Sequence, residues 1–252
     1  MVNLGQAWAE EFMAEHPEVS IAVTGGGSGT GIAALVSGTT TLAQCSREMK
    51  PEEKEGVKKS TGKEVKEFKV AMDALAVIVN LANPVSELSM GQLSDIFTGK
   101  IKNWKEVGGS DEPILALSRD RNSGTHVYFL EHVLRRGNAK GPEEFSASCL
   151  MMPSSQAIVQ EVVRSKAAIG YVGLGYVTKD QKTLAIKKTA ADTVVKPSIE
   201  TAQNGTYPIS RMLYLYTAGE LQGTVKSFLD FIFSTKGQEI VRTMDFVPLT
   251  KE

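Results

Sequence analysis

The chain has 252 residues, 42% of them hydrophobic, with 28 basic against 29 acidic side chains and a formal net charge of −1. That length can bury a sizeable core and makes two domains a reasonable expectation. The two signs of charge are mixed along the chain, which argues against a nucleic-acid or membrane-surface partner, and no run is long and apolar enough to span a bilayer.

The first amphipathic pattern covers residues 3–15, with Leu4, Trp8 and Phe12 on one face, and stops before Pro17. It begins almost at Met1 with no secretory signal ahead of it, which taken alone points to the cytoplasm. Residues 19–24 (Val-Ser-Ile-Ala-Val-Thr) alternate apolar with small polar side chains and predict a strand. Gly25-Gly26-Gly27-Ser28-Gly29-Thr30-Gly31 follows, and a helical pattern runs over 31–37. A strand, a glycine-rich turn and a helix start suit an anion: glycines let backbone N–H groups come close, and the helix start carries unpaired donors and partial positive charge. Ser28 and Thr30 add hydroxyls, one of which is expected to cap the helix.

Residues 39–43 read as a short strand leading into Cys45-Ser46-Arg47-Glu48-Met49-Lys50. Pro51 with Glu52 and Glu53 predicts a helix start. Residues 65–70 and 74–80 read as two strands, the second apolar enough to be buried. Ser89 and Gln92 form a capping box for a helix striped by Leu93, Ile96 and Phe97, with Gly99 at its end. Strand 114–117 then leads into Ser118-Arg119-Asp120-Arg121-Asn122-Ser123-Gly124-Thr125 and a second helix, so Ser-Gly-Thr opens a helix twice in one chain. The second copy brings arginines, whose forked donors match an oxyanion. Further on, Ser154 or Ser155 caps a helix carrying Ile158, Val162 and Val163, and 168–173 is a short strand. Residues 209–216 are β-rich, and two helices at 225–233 and 238–244 close the chain. Alternating strands and helices predict an α/β fold with mostly parallel sheets.

Several motifs carry rival readings. Gly29-x-Gly31-x-x-Ala34 fits a loose dinucleotide fingerprint, which also wants an acid at the next strand end. Glu48 is the available acid, and it sits in a loop. Arg119, Asp120 and Arg121 read either as a solvated charge cluster or as ligand contacts. The three histidines, His16, His126 and His132, share no metal or triad spacing, and only His126 lies beside a candidate site. Cys45 and Cys149 are too far apart in sequence for a disulfide framework and are expected to be free. Nothing in the chain requires an enzyme, a metal or a cofactor.

Four segments resemble one family, the phosphate-binding subunits of bacterial phosphate ABC importers, two-lobed periplasmic solute-binding proteins of type II. They are Gly25–Gly31 with Ser46; Leu93-Ser94-Asp95-Ile96-Phe97-Thr98-Gly99 with Asn103-Trp104; Arg119 through Thr125; and Ile169-Gly170-Tyr171-Val172. The resemblance implies two α/β lobes joined by two hinge crossings, lobe one from residues 1–74 plus 210–252 and lobe two from 75–209. It implies high-affinity binding of inorganic phosphate in the cleft between lobes, delivery to the membrane permease of an ABC importer, a monomer, and a periplasmic or membrane-anchored extracellular location. The implied ligand set is Ser28, with Thr30, Ser46 and Arg47 around it, in lobe one, and Arg119, Ser123, Gly124 and Thr125 in lobe two. Ser46 is expected to be a neighbour more than a ligand.

This chain departs from the family pattern in two ways. Many members carry an aspartate after the serine aligned with Ser46, which accepts the proton of hydrogen phosphate and rejects sulfate; here that residue is Arg47, so either another acceptor, with Asp120 and Glu48 as the candidates, does that work or selectivity rests on something else, and Arg47 is itself a candidate contact to the anion. The family also opens with a strand and a Ser/Thr-bearing loop, whereas this chain enters at Met1 near that loop's far end, so weaker binding than the family norm is expected. The alternatives are the same fold serving another oxyanion or a sensory role, and a dinucleotide-dependent enzyme using the Gly25–Gly31 loop.

Overall fold

The computed structural model describes residues 1–249. They fall into two compact units, Met1–Met72 with Arg211–Glu252, and Asp73–Ser210. In chain order, α1 (Val2–Glu15) is followed by α2 (Ser28–Val36), β1 (Ala43–Cys45) and α3 (Pro51–Thr61). A single long strand, β2 (Val65–Asn80), then leaves the first unit and enters the second. The second unit continues with β3 (Glu87–Ser89), α4 (Met90–Phe97), β4 (Leu115–Arg119), α5 (Gly124–Phe129), β5 (Leu150–Met152) and α6 (Ser155–Arg164). It ends with β6 (Ala168–Gly173), β7 (Gln181–Thr183), β8 (Ala185–Lys187) and α7 (Ile199–Gln203). The chain returns to the first unit through β9 (Ser210–Ala218), α8 (Gly223–Phe233) and α9 (Thr235–Thr243).

In the first unit the strand order is β1–β9–β2, with β1 antiparallel to β9. One core lies between this sheet and helices α1, α8 and α9. Leu4, Trp8 and Phe12 of α1 interlock with Phe228, Phe231 and Ile232 of α8. The indole of Trp8 donates to the Gly237 carbonyl (2.8 Å), and a Cβ at Gly237 would lie 2.2 Å from the Phe231 carbonyl, so the α8–α9 corner admits only glycine. A smaller core joins α2 and α3 to β1 and β9 through Ile32, Leu35, Val57 and Tyr216.

Residues 19–24 are not a strand. Their alternation survives only as burial: Val19, Ile21 and Val23 are half-buried against the α1 core, while Ser20, Ala22 and Thr24 face out. A groove of about 340 Å³ separates this extended segment from Leu42 and Gln44. A strand pattern gives a strand only where a partner edge is within hydrogen-bonding distance.

In the second unit the order is β2–β6–β4–β5, with β7 also beside β2. The β4 pairings with β5 and β6 are parallel, and those of β2 with β6 and β7 antiparallel. A small parallel pair, β3 with β8, stands apart. The α/β layers are as the sequence pattern predicts. Ile158 and Val162 of α6 pack on Ala76, Leu117 and Val172, whereas Val163, expected on the same stripe, is 40% exposed. The Ser89–Gln92 capping box forms, and Gly99 adopts φ +78° just past the end of α4.

Candidate functional site

The first unit contributes the glycine turn. Gly26 and Gly27 have φ of +128° and +97°, which favour glycine, and a Cβ at Gly26 would also press on Thr30 at 3.0 Å. Gly27 is the N-cap of α2, with no side-chain cap bond. This corrects the expectation that Ser28 or Thr30 caps the helix. Both are already inside it: the Thr30 hydroxyl donates back to the Gly26 carbonyl (2.9 Å), and the buried Ser28 hydroxyl accepts from the Ser46 N–H (3.0 Å). The Ser28–Ser46 bond ties the helix start to the end of β1. Among the described residues no side-chain cap bond closes the start of α2, and helix starts of that kind offer unpaired N–H donors.

Arg47 lies beside this start, and its fork is engaged within the unit. Nη1 and Nη2 donate to the two carboxylate oxygens of Glu53 (2.8 and 2.7 Å), and Nη1 also donates to the Glu48 carbonyl (2.8 Å). Glu53 in turn accepts from the Lys50 N–H (2.8 Å) at the start of α3. Burial pushes the Glu53 carboxyl up, but the Arg47 hydrogen bond, the Lys50 N–H and their charges outweigh it and hold the group below its usual range. The positive charge at position 47 is therefore compensated locally.

The second unit contributes a loop between β4 and α5. Arg119 ends β4. Its guanidinium donates to the carbonyls of Met152 (3.3 Å) and Pro153 (3.1 Å) and to the Ser155 hydroxyl (3.3 Å), three neutral acceptors. The Asp120 N–H donates to the Met152 carbonyl (3.1 Å), and the Asp120 carbonyl accepts from the Ser123 N–H (3.0 Å), closing a turn. Ser123 is the N-cap of α5, its hydroxyl accepting from the Thr125 N–H (3.2 Å). Ser123, Gly124 and Thr125 are buried, and Arg121 and Asn122 are exposed. The helix runs on as a π-turn over Leu130–Leu134, a rare geometry found often at functional sites.

Beneath the loop lies a polar chain that single-sequence reasoning missed. The Ser118 hydroxyl is 2.6 Å from the Tyr171 hydroxyl and 3.1 Å from Nδ1 of His126. All three side chains are buried. Tyr171 already belongs to the Ile-Gly-Tyr-Val segment noted in the sequence, but nothing there places it against Ser118.

Of the expected residues, Ser28 and Ser46 are bonded to each other and Arg47 is turned to Glu53 in the first unit; in the second, Ser123 caps the helix that begins with Gly124 and Thr125, and the Arg119 guanidinium reaches Met152, Pro153 and Ser155. The Cys45 thiol sits against the Ser28 carbonyl (3.9 Å). Cys45 and Cys149 are free, and burial pushes each up to about 12. Among the described residues no group of His, Cys, Asp and Glu is arranged to hold a metal ion, and no helix is long and apolar enough to cross a membrane.

Two α/β units, each opening a helix with serine and glycine N–H donors, are the outline of a solute-binding protein. A family model described as a PBP superfamily domain matches residues 3–236. The chain is 36% identical to the phosphate-binding protein PstS of Bacillus subtilis strain 168, covering 99% of this chain and 78% of that one. It is 34% identical to PstS of Pseudomonas aeruginosa strain PAO1, covering 99% and 80%. Among solved structures, a phosphate ABC transporter substrate-binding protein from Clostridium perfringens with bound phosphate superposes with a TM-score of 0.87 at 32% identity, covering 99% and 96%. An ABC-type phosphate transport receptor from Vibrio cholerae gives a TM-score of 0.75 at 27% identity, covering 98% and 96%. The chain belongs to the PBP superfamily and, within it, to the family of phosphate-binding subunits of bacterial phosphate ABC importers.

Proposed function

We propose that this chain binds inorganic phosphate without covalent chemistry and delivers it to the membrane permease of an ABC importer, outside the cytoplasmic membrane. The observation that carries the reading is a single β4–α5 loop that starts at Arg119 and ends in the Ser123-capped helix start, with Ser123, Gly124 and Thr125 buried. A dehydrated oxyanion needs every oxygen satisfied, and charge-assisted donors with backbone N–H groups do this without a cation. Ser28 and the first turn of α2 present the same kind of donors within the first unit. Ser46 holds Ser28 in place, and Thr30 braces the turn. The family names of the relatives support the same ligand. Delivery follows from a ligand that shifts the protein toward a bound form which the permease recognises.

A second oxyanion is the specific alternative, because Arg47 stands where family members often carry an aspartate. Its pairing with Glu53 compensates that extra positive charge within the unit. Calorimetric titration with phosphate, arsenate and sulfate near pH 8 tests the proposal. Binding of phosphate and arsenate with no sulfate heat is expected. Equal sulfate binding overturns the selectivity, and no heat from any anion overturns the function.

A further inference from the structure

The Ser118–His126–Tyr171 chain joins three elements around the second-unit loop. Ser118 is on β4 directly before Arg119, His126 is in the first turn of α5 directly after Thr125, and Tyr171 is on the neighbouring β6. The aromatic surroundings are rigid. Tyr171 stacks on Phe129 with centroids 3.7 Å apart and planes 1° from parallel, and His126 stacks on Phe145 at 4.5 Å. The hydroxyl of Tyr171 has no exposure, and a buried donor left unmade is expensive, so it donates to Ser118. Ser118 has one proton to pass on. The Arg119 carbonyl lies 3.2 Å from it, and Nδ1 of His126 lies at 3.1 Å.

We propose that His126 is a positioning residue of the anion loop: as a neutral imidazole it accepts from Ser118 at Nδ1, completing a donor chain from Tyr171 that clamps the first turn of α5 to β4 and β6. This rests on the phosphate reading for its purpose but not for its test. The clamp fixes Gly124 and Thr125, whose N–H groups the function needs in one place. It also makes the loop sensitive to protons, since an imidazolium cannot accept. The charged and titratable groups around His126 are Asp120 and Arg121 of the loop, the Arg119 backbone, and Glu144 from the segment before β5. Tyr171 faces it through Ser118, and Cys149, whose thiol burial holds protonated, packs beside that pair. Burial, the largest influence, and the charge of Arg121 push His126 below its usual value, against the Arg119 carbonyl, Asp120 and Glu144. The neutral form therefore holds at neutral pH.

The test is amide hydrogen exchange at Gly124–Val127 in the ligand-free protein, with ¹⁵N spectra of the His126 ring. Expected at pH 8 is an Nδ1 without a proton. The His126→Asn variant, whose amide replaces that nitrogen, should keep protection within about threefold, and His126→Leu or Tyr171→Phe should lose about tenfold, as for a buried hydrogen bond removed. Below pH 6.5 protection in the wild type should fall further than in His126→Asn. Calorimetry with inorganic phosphate should rank the variants in the same order at pH 8. A protonated Nδ1, equal losses in the Asn and Leu variants, or a wild-type pH profile matching that of the Asn variant would each overturn the inference. If no anion binds the wild type, the phosphate reading fails, and the exchange data still decide the positioning role.

Discussion

Truncating Arg119 to alanine removes the guanidinium that ends β4, at the start of the second-unit loop. A charge-assisted hydrogen bond to an anion contributes roughly 1.5–3 kcal/mol, and truncating one partner of a buried charged pair about 2–5 kcal/mol. That corresponds to a loss of phosphate affinity of about 30-fold to several thousand-fold. The folded state loses less. The three bonds to Met152, Pro153 and Ser155 are 3.1–3.3 Å long with neutral acceptors, at the weak end of the usual range. About 1 kcal/mol in total is expected, or a melting point lower by roughly 2–4 °C for a chain of this size. Arg119→Lys keeps charge but not the fork and should fall between wild type and Arg119→Ala. Calorimetry and thermal melts on the three proteins separate the two effects. Arg119→Ala binding within about threefold of wild type while folded would refute the assignment, whatever the stability change.

The Arg47–Glu53 pair gives a pH signature. Glu53 is held below its usual 4.5, so its stabilisation is present above the unfolded value and is lost as pH falls through the folded one. Glu53→Gln should be less stable at neutral pH and show a flatter loss of urea midpoint in acid; an unchanged acid limb would show that the pair does not titrate on unfolding. Ser89→Ala deletes the acceptor for the Gln92 N–H in the α4 capping box. It should lower stability by about 1 kcal/mol, and a melt superimposable on wild type would mean that the cap contributes nothing. Both thiols are buried and pushed up to about 12, so neither should react with a thiol reagent at pH 8 until denaturant is added. Rapid labelling of the native protein would contradict the packing around Cys45 or Cys149.

Local signals were the most legible. The capping box of α4 and the proline-led start of α3 form as expected because each depends on residues within one turn. The Ser-Gly-Thr segments mark helix starts for the same reason. What failed depends on partners distant in sequence. Residues 19–24 alternate as a strand should, yet among the described residues no edge pairs with them. Strand β2 reads as two pieces because Lys66, Glu67 and Lys69 in its first half meet solvent while residues 74–79 are fully buried, although the backbone is continuous. Arg47 looked available for an anion, and only Glu53, one turn into α3, shows where its fork goes. The link from Ser118 to Tyr171 bridges two strands, and no periodicity encodes it.

The first unit is discontinuous: it needs both Met1–Met72 and the segment from Arg211 onward, whereas the second is one uninterrupted stretch. Synthesis proceeds from the N-terminus, so the second unit is complete in the nascent chain while the first still lacks β9 and α8. Leu213, Leu215, Phe228 and Ile232, which close the core over Trp8 and Phe12, emerge last. Until then α1 exposes its apolar face, and a released chain truncated near residue 215 would pair a folded middle with a protease-sensitive beginning.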